Sequence, residues 1–108
     1  IVSRDWSSDV CSSDLKILKQ RGAYYFFPVT GGFGRSGIPD IIVCYKGNFV
    51  AIECKAGYNK PTALQEAEMK KINNAQGVAM WVNQDTIEDV TKLLDTIETM
   101  QALAQKEL

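Results

Sequence analysis

The chain has 108 residues, of which 45% are hydrophobic and 23% charged, and a net charge of −1 at pH 7, as expected for one globular domain with a modest core. It contains no histidine, which excludes Ser-His-Asp and Cys-His hydrolases and nucleases that bind metal through histidine. No apolar run approaches the roughly 20 residues that cross a bilayer, and no secretory signal is visible, so we predict a cytoplasmic protein without membrane contact.

Residues 5–15, DWSSDVCSSDL, match the in-frame translation of a common sequencing-library adapter. A Ser- and Asp-rich native tail is the alternative, but an eleven-residue match favours the artefact. We therefore predict that residues 1–15 are adapter-derived, that the native start is lost, and that residues 16–108 form one domain. Without Cys11, only Cys44 and Cys54 remain, and their spacing does not suit a zinc site.

The first native elements are predicted to be a helix end and a strand. The helix over residues 15–21 has leucines one turn apart and a basic last turn, and Gly22 suits its C′ position. Residues 24–29, YYFFPV, predict a short strand whose aromatic side chains pack in the core, with base stacking as the alternative. Residues 31–37 contain a literal GxGxxG, but a strand follows where a dinucleotide site needs a helix. We interpret them as a loop that wraps a ligand backbone or is simply mobile.

Residues 37–57, GIPDIIVCYKGNFVAIECKAG, predict a β-hairpin, because two apolar runs flank a turn at residues 46–48. A turn at residues 46–47 would place Asp40 opposite Glu53, and a turn at residues 47–48 would place it opposite Lys55. Since side chains alternate along a strand, both registers put these three residues on one face. The same alternation separates Cys44 from Cys54, which disfavours a disulfide between those two.

Two carboxylates on one face repel each other and raise each other's pKa unless a cation joins them. Lys55 could supply that charge in a structural ion pair. A hard divalent cation such as Mg²⁺ could also supply it, since Mg²⁺ typically takes one or two carboxylates with water and substrate phosphate. An adjacent ammonium would then hold or activate water. The residues alone leave both alternatives open.

The remaining elements are a helix, a strand and a helix. Thr62 and Gln65 have the spacing of a capping box, which predicts a helix over residues 62–76. Residues 78–82 predict a short strand, and a last helix follows residue 86 with apolar residues at helical spacing. The end of this helix could either offer apolar area to a partner or fray. The order α-β-β-β-α-β-α predicts an α/β fold, with a mixed sheet flanked by helices.

Charge differs between the halves of the chain. Residues 16–60 carry a net charge of +5 and residues 61–108 a net charge of −4. A basic half suits a phosphate-binding face, although a solvated surface would look the same. The only acids in the basic half are Asp40 and Glu53.

Pro39-Asp40 followed by Glu53-Cys54-Lys55 matches the PD-(D/E)xK signature. The longer motifs are GRSGIPD (residues 34–40), IECKAG (52–57) and KPTALQ (60–65). In this order the motifs resemble the VRR-NUC family of restriction-endonuclease-like nucleases, and the resemblance covers essentially all of residues 16–108. It implies a restriction-endonuclease-like core and Mg²⁺-dependent hydrolysis of DNA, with Mn²⁺ as a possible substitute.

The resemblance also implies residue roles. Asp40 and Glu53 would bind the metal with the backbone carbonyl of Cys54, and Lys55 would position water. Gln65 would lie near the site, although capping alone would explain it. The turn that presents Asp40 would be shaped by Gly37 and Pro39. Candidates for contacts to DNA phosphates are Gly34, Arg35, Ser36 and Lys60.

Small stand-alone relatives occur in phage and bacterial genomes, so the resemblance implies a nuclease in a bacterial host cell. We expect branched DNA as substrate and a homodimer, because two-fold cleavage of a branch needs two active sites. A flap or restriction-type endonuclease is the alternative enzyme, and a non-catalytic DNA-binding or assembly module is the alternative class. The family's first-helix glutamate would fall near residues 7–9, where Ser7 and Ser8 cannot replace it and Asp9 could do so only by accident. We therefore expect weak metal binding by this chain.

Overall fold

The structure is a computed structural model that describes residues 6–28 and 37–106, with side chains of the first helix from Val10 onward. The elements are α1 (Trp6–Arg21), β1 (Tyr24–Phe26), β2 (Ile41–Tyr45), β3 (Asn48–Cys54), α2 (Ala63–Asn74), β4 (Val78–Val82) and α3 (Glu88–Lys106). The predicted order and the α/β class are confirmed. Within the described ranges, no helix is long and apolar enough to span a membrane.

The four strands form one sheet in the order β1-β2-β3-β4. β1 and β3 both run antiparallel to β2, whereas β4 runs parallel to β3, with α2 as the crossover between them. The sheet is therefore mixed, as predicted.

The hairpin turn selects one of the two registers. Lys46 and Gly47 have φ angles of 51° and 81°, a left-handed pair that suits a two-residue hairpin turn. Tyr45 consequently pairs with Asn48 and Ile41 with Ile52. Continued by one residue, this register places Asp40 opposite Glu53.

The core lies on the sheet face that carries α1 and α3. Its buried members are Val10, Leu18, Ile41, Val43, Tyr45, Val50, Ile52, Cys54, Val82, Val90, Leu94 and Ile97. Arg21 ties the two helices together, because its guanidinium contacts Asp95 at 2.6 Å and Glu98 at 2.7 Å. Glu98 also accepts a hydrogen bond from the Tyr45 hydroxyl, which links this pair to β2.

The predicted core packing of the aromatic run is wrong for most of its members. Tyr24, Phe26 and Phe27 are exposed, and only Tyr25 is half-buried. The physical reason is position: β1 is an edge strand, and α2, the helix on the second sheet face, packs against β4 at the opposite edge.

The predicted helix end at residues 15–21 is the C-terminal part of α1, which begins at Trp6 and includes most of the adapter-like stretch. Val10, Asp14 and Leu18 follow one another at four-residue spacing and are all buried against the core. Cys11 forms a disulfide with Cys54, with 5.8 Å between the Cα atoms, so a residue of the adapter-like stretch is bonded to the core. Cys44 is free and exposed, and it forms no disulfide with Cys54, as predicted. The adapter origin itself stays a prediction.

Asp14 is a charged group at a core position. It is fully buried, and its Oδ1 has no hydrogen-bond partner among the described residues. Cys54 Sγ approaches its Oδ2 at 3.6 Å, but a disulfide sulfur has no proton to donate, so this is a contact and not a hydrogen bond. Burial raises the pKa of Asp14 from 3.8 to about 7.

We predict that this carboxyl makes the fold less stable as pH rises. A raised folded-state pKa favours the folded state below pH 3.8, and that contribution is lost as pH rises through about 7. Between pH 5 and 8 the free energy of unfolding should fall by roughly 2–3 kcal/mol on account of Asp14. Urea titrations at both pH values should show a correspondingly smaller fall for Asp14→Asn. Equal falls for the two proteins would contradict the assignment.

Candidate active site

The loop before β2 is held against the first turn of α2. Gly37 has a φ of 85°, and a Cβ there would lie 2.5 Å from the carbonyl oxygen of Leu64. Only glycine meets both constraints. Pro39 is buried directly before Asp40. The sequence therefore delivers Asp40 to the start of β2 from a closely packed turn.

Asp40 is fixed to the end of β3. Its Oδ2 accepts a hydrogen bond from the backbone N–H of Cys54 at 2.8 Å. This hydrogen bond spans the two strands at the level where the register places Glu53 opposite Asp40. The two acidic residues of the hairpin therefore meet at one end of the sheet.

Glu53 is 4% exposed and lies at the centre of the group. Its Oε2 accepts a hydrogen bond from Gln65 Nε2 at 2.8 Å and lies 3.7 Å from Lys55 Nζ. Its Oε1 is buried without a hydrogen-bond partner among the described residues. Burial is the larger cause and repulsion from Asp40 the smaller cause of the raised pKa of Glu53, which shifts from 4.5 to about 7. The positive charge of Lys55 opposes this shift.

Gln65 has two roles at once. Its backbone N–H and side-chain Oε1 complete the predicted capping box with Thr62, at 3.2 and 2.9 Å. Its Nε2 is then left to donate to Glu53. Capping and contact with Glu53 therefore occur together, because the capping geometry leaves the amide directed at that carboxyl group.

The donors present fit a hard divalent cation. Two carboxylates converge, one with an unpartnered buried oxygen, and an ammonium lies beside them. Such oxygen ligands suit Mg²⁺. The sulfurs of Cys11 and Cys54 also lie within 4.8 Å of an Asp40 oxygen. In the disulfide, however, neither sulfur is a thiolate, and these three groups fall short of the four ligands of a structural zinc site.

Other predicted site residues lie apart or outside the described ranges. Lys60 is exposed in the turn before α2. Gly34, Arg35 and Ser36 lie outside the described residues, as do the side chains of residues 7–9 where the first-helix glutamate was expected. On the described part of α1, the site is approached by Cys11.

Sequence reasoning assigned no site role to Trp81. It pairs with Glu53 across the parallel β3–β4 ladder and is partly exposed, so its indole lies on the sheet face that carries the acids. Gln84 is also new, since its Oε1 accepts a hydrogen bond from Gly57 N at 3.2 Å and so holds the loop after Lys55. The alternation of residues 78–82 could have indicated Trp81 once a parallel pairing with β3 was assumed.

A comparison with solved structures identifies the fold. A structure described as a VRR_NUC domain superimposes with a TM-score of 0.69 and 22% sequence identity, covering 84% of this chain and 96% of that one. The chain has a VRR-NUC, restriction-endonuclease-like fold. A Holliday junction resolvase from Archaeoglobus fulgidus aligns at a TM-score of 0.49 and 15% identity, over 66% of this chain and 63% of its own. At the level of sequence, no protein-family model and no curated protein matches.

We predict that the pKa of Glu53 responds to its two charged neighbours in opposite directions. The carboxyl should titrate near 7, Asp40→Asn should lower its pKa toward 4.5 by removing repulsion, and Lys55→Met should raise it. NMR titration of the glutamate side-chain carbonyl carbons would measure all three values. A wild-type Glu53 pKa near 4.5 would contradict the buried, repelled pair.

Proposed function

We propose that the protein is a Mg²⁺-dependent DNA endonuclease that hydrolyses phosphodiester bonds, with branched DNA as its substrate. The observation that carries the proposal is the convergence of Asp40 and Glu53 beside Lys55, with Glu53 Oε1 buried and unpartnered. A structural ion pair alone would leave that oxygen without any compensating interaction. A cation bound between the two carboxylates would satisfy it.

In this proposal Asp40 and Glu53, with the backbone carbonyl of Cys54, hold Mg²⁺, or Mn²⁺ in its place. When bound, the ion would polarise the scissile phosphate and lower the pKa of water. Glu53 must lose its proton to take part, and the Gln65 amide would fix the orientation of its carboxylate. Lys55 Nζ would orient the attacking water and offset negative charge on the phosphate.

DNA contacts would come from the basic half of the chain. Lys60 is exposed and free to reach a backbone phosphate, and Gly34, Arg35 and Ser36 would extend the same surface. The resemblance to stand-alone VRR-NUC nucleases supports a branched substrate in a bacterial host cell. Symmetric cutting of a branch requires two sites, so a homodimer belongs to the proposal.

A non-catalytic DNA-binding or assembly module is the second candidate, and one observation favours it. The sulfur of Cys11 on α1 lies within 4.8 Å of an Asp40 oxygen and is bonded to Cys54. Neither sulfur of that disulfide can take the place of a carboxylate on α1. A module of this kind would bind DNA in a salt-dependent manner even after Asp40→Ala, without cleavage.

Cleavage assays separate the candidates. We expect wild type to cut a four-way junction faster than flap or linear duplex DNA in Mg²⁺ or Mn²⁺, and Lys55→Ala to lose about 100-fold or more. Lys92→Ala removes the same charge from an exposed position of α3, outside the basic half, and should cut like wild type. If wild type and Lys55→Ala behave alike on all three substrates, the nuclease proposal fails. Preference for the flap or duplex would instead favour the alternative flap or restriction-type enzyme.

Metal binding gives a test that does not depend on turnover. Because the Glu53 pKa of about 7 makes a proton compete with the metal, the apparent Mg²⁺ affinity should rise roughly tenfold from pH 6 to pH 8. Calorimetric titration should show this rise, and Asp40→Asn should abolish binding. Asp95→Asn changes an exposed acid of α3 that contacts Arg21 and serves as control. Equal affinities of the Asp40 and Asp95 variants would exclude the proposed ligand set.

A further inference from the structure

The sheet has one closed face and one partly open face. α1 and α3 cover the first, and α2 packs on β4 at one margin of the second. Over β1, β2 and the start of β3, no described element covers the second face. Strand pairing places five residues there, which we name the open face: Tyr24, Phe26, Ile42, Cys44 and Phe49.

The open face is apolar and accessible. Tyr24 is 68% exposed, Phe26 46% and Phe49 48%. Cys44 is exposed and Ile42 half-buried. With large aromatic side chains each able to bury about 150–250 Å², the five residues present roughly 300–400 Å² of contiguous apolar surface. Patches of this size on a monomer commonly mark interaction sites.

A groove extends the open face toward α2. It holds about 300 Å³ and is lined by Phe49, Glu68, Lys71, Ile72, Ala75 and Gly77. Lys71 Nζ and Glu68 Oε2 are 3.0 Å apart, and because Glu68 is buried, Lys71 is the exposed member of this pair at the rim of the groove. Phe49 belongs to both surfaces, and a partner on the open face would therefore reach a concave, mostly apolar recess at its margin.

We infer that the open face is the surface through which two copies of this chain pack against each other about a two-fold axis. None of its five residues is charged, so the surface does not repel a second copy of itself. A nucleic acid would need cations along its backbone path, and the open face supplies none. About a two-fold axis, the apolar surface of one copy faces the same apolar surface of the other, as isologous contacts require.

The area limits the strength of this dimer. Two open faces would bury roughly 600–800 Å², and the groove rims would bring the total toward the 1,200 Å² at which specific interfaces begin. We therefore expect micromolar dissociation. The inference rests on the two-site part of the proposed function, because Asp40 lies two residues before Ile42 and so at one end of the open face. A dimer formed there would hold both acidic sites beside one shared surface.

Sedimentation of the full chain without DNA or metal tests the inference. Wild type should approach twice the chain mass of 12.0 kDa at about 100 μM, and Tyr24→Glu should raise the dissociation constant at least about tenfold. Tyr58→Glu makes the same substitution at a 96% exposed tyrosine in the turn after β3, outside the strands of the open face, and should match wild type. Leu103→Glu, at an exposed position of α3, should also match it.

Several outcomes would overturn the inference. They are a monomeric wild type, a Tyr24→Glu that stays dimeric, and dissociation by Leu103→Glu in place of Tyr24→Glu. Unchanged mass with weaker single-stranded DNA binding by Tyr24→Glu would make the open face a nucleic-acid surface instead. If Tyr24→Glu fails to fold, alkylation of wild-type Cys44 decides, since it should slow as protein concentration rises and a constant rate excludes the dimer.

Failure of the nuclease proposal and failure of the dimer inference give different experimental results. A dimer that depends on Tyr24 but cleaves no DNA supports the inference and rejects the nuclease. A monomer that cleaves DNA, with activity lost in Lys55→Ala, does the reverse.

Discussion

The buried carboxylate of Glu53 is the constraint around which this end of the molecule is built. A carboxylate withdrawn from water must be protonated, hydrogen-bonded or paired with a cation. The fold provides a hydrogen bond from Gln65 and a charge from Lys55, but it also brings Asp40 close enough to repel it. A divalent ion bound between the two carboxylates would offset this repulsion. The hairpin register, the capping box and the Gly37 turn together place Asp40 and Gln65 beside Glu53.

Asp14 is also a buried carboxyl group, but among the described residues it lacks the compensating neighbours that Glu53 has. Its carboxyl group contacts Cys54, whose side chain points to the sheet face opposite to that of Glu53. Asp14 and Glu53 therefore lie on opposite sides of β3. Both carboxyl groups have raised pKa values, and both have an oxygen without a partner among the described residues. Around Glu53 there is a second acid, an amide and an ammonium, whereas Asp14 meets a disulfide sulfur. An apolar residue such as leucine would suit this position between Val10 and Leu18 better than Asp14 does. The mismatch is what we expect if the adapter-like stretch was not selected to pack in this core.

The two faces of the sheet are covered unequally, and the less covered face carries both the inferred dimer surface and the candidate active site. Two helices close one face, while the other carries one helix, the acidic site and the open face. An apolar sheet face is stable only when another layer covers it. A second copy of the chain would supply that layer beside Asp40, so that pairing and the placement of two sites follow from the same surface.

The sequence alone determined much of the geometry of the candidate site, because its signals are local. Side-chain alternation placed Asp40, Glu53 and Lys55 on one face in either register, and the capping box located Gln65 at the start of α2. The left-handed turn at Lys46 and Gly47 then selected the register.

Only the tertiary structure decided which faces are covered. The sequence predicts that the aromatic residues of β1 pack in the core. Tyr24 and Phe26 are nevertheless exposed, because no described helix packs over the β1 edge of the sheet. The burial of Asp14 and the pairing of Cys11 with Cys54 likewise depend on where α1 docks. Periodicity fixes the side of an element on which a residue lies, but what packs against that side is set by contacts between distant parts of the chain.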